Sequence, residues 1–96
     1  MLDEIKAALR ISASTTAFDG EVSDLIDAAR QDLILSGVTS TKANDDTDAL
    51  IKRAVSIYVK ANFGWANPDA ERLQKSYDLL KMHLTMSVEY NTEVVV

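Results

Sequence analysis

Apolar residues recur along this chain at steps of three and four, the spacing that lines one side of an α-helix, and polar breaks divide the pattern into four segments. The first predicted helix runs from about Asp3 to Arg10, with Leu2, Ile5 and Leu9 on one face. Asp3 and Glu4 stand at its N-terminal end and Arg10 at its C-terminal end, the order the helix dipole favours. Ser12 to Thr16 follows as a polar, β-branched connection, too short for a domain linker. The second helix spans Asp19 to Ser36. Val22, Leu25, Ile26, Ala29 and Leu33 form its apolar stripe, and Asp24, Asp27, Arg30 and Gln31 its polar side. Gly37 then stands where helices commonly close on a left-handed residue.

No periodicity survives from Val38 to Asp46, which reads as an exposed, mobile loop, either a plain connection or a surface that touches a partner. The third helix covers about Thr47 to Phe63. Leu50, Ile51, Ala54, Val55, Ile57, Tyr58, Val59 and Ala61 make it apolar round most of its circumference, so it belongs in the middle of a bundle or in a subunit interface. Its polar residues, Lys52, Arg53, Ser56 and Lys60, are too few to wet a whole face. Asp48 and Lys52 are spaced for a weak surface pair. Gly64 ends this helix, Asn67 is a suitable N-cap, and Pro68 suits the first helical position, where its missing N–H costs nothing. The fourth helix then continues to about Val88, and a flexible tail runs from Glu89 to Val96.

This fourth helix carries two apolar stripes. At about 100° per residue, Leu73, Tyr77, Leu80 and Leu84 cluster on one side, and Leu79, Met82 and Met86 on nearly the opposite side. The first is an ordinary core face. The second is covered either by a groove within the same chain or by another subunit, and methionines suit a contact that must adapt to an imperfect surface. Leu79, Met82 and Met86 are therefore candidate subunit-interface residues. Trp65, in the turn before this helix, either packs beneath the turn or anchors a partner, and joins that candidate set.

With 96 residues, 47% of them hydrophobic, the chain is one globular domain near the lower size limit for folding alone. Pairing with copies of itself would add stability. There are no cysteines, so disulfides and thiolate metal sites are excluded. No apolar run is long enough to span a membrane, and the acidic start is unlike a signal peptide, so the protein is expected to be made and used without export. Fifteen acidic residues against ten basic ones give a net charge of −5. Tight non-specific binding to nucleic acid depends on Lys and Arg displacing counterions, and no basic block is present.

Catalytic constellations are missing from the pattern. His83 is the single histidine, so a nucleophile–base arrangement has at most one base and no thiol. It falls between the two stripes of the fourth helix and reads as a surface or interface residue. The three glycines stand too far apart to cradle a phosphate. The run Asn44-Asp45-Asp46-Thr47-Asp48 lacks the glycine and terminal glutamate of a calcium-binding loop, and reads as a loop leading into a helix cap. No catalytic, cofactor or metal residues are assigned.

The segment Leu50-Ile51-Lys52-Arg53-Ala54-Val55, then Tyr58-Val59-Lys60-Ala61-Asn62-Phe63-Gly64, continues with Asn67-Pro68, Ala70-Glu71-Arg72 and Ser76-Tyr77. Together these resemble the head–tail connector proteins of long-tailed bacteriophages and prophages, also called DNA-packaging or head-completion adaptors. A short first helix and a second one with Ala28-Ala29-Arg30 fit as well. The likeness extends over nearly the whole chain and is most specific between residues 50 and 87. It implies a small helical subunit without enzymatic activity that forms a ring beneath the portal, extends the DNA channel, and offers a platform to a further connector or the tail. The implied location is the head–tail interface of the virion, after synthesis in the host bacterial cytoplasm.

The residues agree with such a role in several respects. A closed ring needs a head-to-tail contact, which the second stripe offers. An acidic subunit beside the channel would repel the DNA backbone and let it slide. The loop and the tail would order against neighbours, and Val94, Val95 and Val96 are candidates for a portal or partner contact by strand addition, or else a disordered terminus. The competing reading is a small helical regulator that binds DNA through a helix-turn-helix. Its turn would have to be far longer than the 3–4 residues of that motif, and the third helix offers mainly Leu, Ile, Val and Tyr where base edges call for Arg, Asn or Gln. The fold expected is all-α, a single domain over residues 1–96 built as a small bundle of about four helices with a flexible C-terminal tail.

Overall fold

The computed structural model describes residues 1–64 and 67–93, and everything below concerns those residues. Trp65 and the candidates Val94, Val95 and Val96 lie outside them. The chain is all-α: α1 (Leu2–Ala8), α2 (Asp19–Ser36), α3 (Ser40–Ala43), α4 (Ala49–Asn62), α5 (Ala70–Met86) and α6 (Val88–Asn91). Four of these are the predicted helices, and α3 and α6 are short additions to them.

Helix α4 is the centre of the bundle and packs against α1, α2 and α5. Its Ile51, Ala54, Val55 and Val59 are buried together with Val22, Ile26, Ala29 and Leu33 of α2, and Tyr77 and Leu84 of α5. Phe18, just before α2, meets Phe63, just after α4, ring edge to face at 5.7 Å. The end of α4 therefore lies beside the start of α2, and the two run antiparallel. Helices α2 and α5 run in the same direction. Asp32 accepts hydrogen bonds from Tyr77 Oη at 2.6 Å and Lys81 Nζ at 3.1 Å, and further along Gly37 approaches Thr85.

Helix ends follow sequence chemistry with some departures. Gly37, at φ 121°, closes α2, and the Gly37 and Val38 N–H groups donate to Ile34 O and Leu33 O. Helix α1 stops at Ala8 rather than Arg10. Arg10 N–H donates to Ala7 O and Ile11 N–H to Lys6 O, the reciprocal pair of a Schellman closure, with Arg10 in the left-handed position at φ 62°. Helix α4 begins one to two residues later than predicted, because Asp48 is its cap and accepts from Leu50 N and Ile51 N. That corrects the anticipated Asp48–Lys52 pair: Lys52 reaches instead to Glu4 of α1 at 2.9 Å. Asn67 does not cap α5. Its side chain accepts from Asp69 N and donates to Lys60 O at 2.6 Å, which ties the turn to α4 and delays the helix to Ala70.

Two segments expected to be loose are packed. The polar stretch after Gly37 contains α3, capped by Thr39 accepting from Lys42 N, with Val38 and Ala43 buried. The expected start of the tail at Glu89 is also corrected. Residues Val88–Asn91 form α6, whose Tyr90 is buried and bonds through Oη to both carboxylate oxygens of Asp48 at 3.1 Å. Thr39 N–H donates to Tyr90 O at 2.8 Å. The aromatic ring drives this docking, since its burial outweighs the ordering of a few terminal residues.

A candidate assembly surface on helices α2, α4 and α5

The predicted core stripe of the last long helix is the one that faces inward. Tyr77 and Leu84 are buried and Leu80 packs on the core. On the far side of α5, Leu79 is 55% exposed, Met82 48% and Met86 73%. None of the described residues covers them, so no groove among the described helices hides the stripe. Val88 and Leu35, the latter 85% exposed, are further bare apolar residues. Leu35 escaped the sequence reading, although the signal was present: it follows Ala28 and Gln31 at helical spacing on the outer side of α2, away from Leu33.

The outward side of α4 forms a shallow open groove. Arg53, Ile57 and Lys60 succeed one another along it at steps of four and three, and the exposed Leu50 precedes them on the same side of the helix. Glu4 and Ile5 of α1 make one wall, and Arg72, Leu73 and Ser76 of α5 the other. The polar residues of α4 thus line a face that the sequence pattern discounted. Lys52 and Arg72 each have an acid near by, Glu4 and Asp69 respectively. Arg53 and Lys60 have no carboxylate within salt-bridge distance among the described residues. At one end the groove passes Leu79, Leu80 and the exposed His83.

The titratable clusters are structural. Burial, together with the hydrogen bond to Asp32, raises the Tyr77 hydroxyl above its ordinary value and keeps it protonated. The acidic run before α4 is divided among separate partners. Asp45 accepts from Thr47 N and Oγ1, bonds that hold its carboxyl below the usual value. Asp46 pairs with Arg30 at 2.6 Å, and Asp48 caps α4. Among the described residues no group of three or more His, Cys, Asp and Glu side chains is placed to hold a metal, and no helix is long and apolar enough to cross a membrane.

Uncovered apolar residues on one side of a small helical bundle define a class: a helical subunit with bare surface to offer a partner. A family model described as phage connector protein matches residues 1–91, and the chain belongs to that family. Its role is accordingly in phage virion assembly. No curated protein and no solved structure gives a significant match to the chain.

Proposed function

We propose that this protein is a non-enzymatic adaptor subunit that closes into a ring between the capsid portal and the tail and extends the DNA channel. The observation that carries the reading is the bare stripe of Leu79, Met82 and Met86, on a helix whose other side already fills the core. Such a stripe is costly to leave in water, and a second subunit removes it from solvent. A ring further requires that each subunit present two different faces to its neighbours. The bare stripe of α5 belongs to one such face.

The partners on this reading are copies of the chain, the portal protein on one side, and a further connector or tail protein on the other. The virion is its final location, after synthesis in the host bacterial cytoplasm. DNA passes through without sequence-specific contacts, and the net charge of −5 discourages it from sticking. The test is Met82→Asp, which places a charge in the stripe without touching the core. Circular dichroism should be unchanged, while sedimentation velocity should show self-association weakened by about tenfold or more. Oligomers of unchanged size and affinity would remove the stripe from the interface.

A further inference from the structure

The charges of this molecule are sorted onto opposite sides. Helices α2 and α4 meet through their buried stripes, so their outer sides point away from each other. On the outer side of α2, Glu21, Asp24 and Asp27 are exposed, and none has a cation within salt-bridge distance among the described residues. On the outer side of α4, the groove holds Arg53 and Lys60, also without acidic partners, and Arg72 on its wall. Among the described residues the three acids, Arg53 and Lys60 have no opposite charge within salt-bridge distance, and Arg72 has only the exposed Asp69.

The two sides also match in level along the bundle. Asp32 sits beside Tyr77 and Lys81, and Gly37 beside Thr85, so α2 and α5 advance in step. By this register Glu21, Asp24 and Asp27 stand level with the first turns of α5, where Arg72 lies and where Asn67 ties the turn to Lys60. Leu35 stands level with the last turns of α5. Because α4 runs the other way, its Leu50 lies at that same end, where its neighbour Asp48 meets Tyr90 of α6. On α2 the acids therefore lie at one end and Leu35 at the other, while on α4 Lys60 lies level with the acids, Arg53 nearer the middle, and Leu50 at the end where Leu35 stands.

From this arrangement we propose that the outer side of α2 in one copy seats in the groove over α4 of the next. Glu21, Asp24 and Asp27 then face Lys60, Arg53 and Arg72, and Leu35 lies by Leu50. The contact is head-to-tail and uses two different faces, so every copy keeps one of each free until the assembly closes. Paired charges fix which end meets which, and the apolar end supplies the area removed from water. This rests on the ring reading and adds a second contact surface to the one the α5 stripe supplies.

Three variants of the full chain test it by sedimentation velocity at low and high salt, beside the unaltered protein. Asp24→Lys with Asp27→Lys reverses one side, and Arg53→Glu with Lys60→Glu reverses the other. Each pair should weaken self-association by at least about tenfold at low salt. The chain carrying all four changes should recover it, a rescue that general destabilisation would not produce. Oligomers in the unaltered protein that ignore both reversals would overturn this surface and leave the ring standing. An unaltered protein that stays monomeric at every concentration would overturn the ring and this contact together. If the Arg53→Glu, Lys60→Glu chain instead loses affinity for random duplex DNA with its assembly intact, the groove faces DNA and the proposed contact is wrong.

Discussion

Lys6 illustrates how much one residue settles in a small chain. It stands four residues after Leu2, at the edge of the apolar stripe of α1, and is 1% exposed. Its ammonium donates to Thr15 O at 2.6 Å and Ala13 O at 3.3 Å, and lies 2.7 Å from Asp19 Oδ1. One side chain thus fastens the connection after α1 to the start of α2. Nothing in the spacing of the sequence announces this, because the carbonyls it satisfies belong to an aperiodic segment. Removing the charge strands both carbonyls and the carboxylate. Lys6→Met should lower stability by about 2–3 kcal/mol in urea unfolding, and a change within experimental error would mean the ammonium is not what orders this segment. Arg10 gives the opposite sign. It occupies a left-handed position that glycine adopts at no steric cost. Arg10→Gly should raise stability by about 0.5–1 kcal/mol, an increase readable from the same unfolding curves, whereas a loss would show that the Arg10 side chain matters more than its backbone.

At the level of elements, the long helices were legible because each pairs an apolar stripe with a breaker: α2 with Gly37 and α4 with Gly64. The boundaries of α2 agree with the reading of its sequence at both ends. The short helices were illegible, since a single turn shows no periodicity, and both form because of distant partners. Tyr90 holds α6 against the Asp48 cap of α4 and against Thr39 before α3. Burial, and then the hydrogen bond to Asp48, push its hydroxyl up to about 12. Folding therefore favours the protonated phenol, and its contribution is complete below the ordinary tyrosine value of about 10. It is lost as pH rises from there toward the folded value. Denaturant midpoints should fall over that interval. Tyr90→Phe should cost about 1 kcal/mol at neutral pH and make the alkaline fall shallower. A variant that loses stability with pH as steeply as the unaltered protein would show that Tyr90 does not carry this dependence.

For the whole molecule, the informative contrast is between what the chain buries and what it leaves bare. Its core is complete: α4 lies under α1, α2 and α5, and the inner stripe of α5 fills the remaining gap. Leu35, Leu79, Met82 and Met86 remain in water, and unpaired charges of opposite sign occupy opposite sides. The exposed α5 stripe was legible in the sequence, because a wheel shows two apolar sides and a terminal helix has only one core to face. The acidic side and the basic groove were not, since sorting the charges requires knowing which sides of α2 and α4 point outward. On the ring reading proposed above, such a subunit fills its own core and assembles through the surface it leaves bare. Native mass spectrometry over a concentration series measures that directly. The account predicts closed species of one defined mass, many times that of the subunit, growing at the expense of monomer. An obligate dimer, or monomer at every concentration, would contradict it.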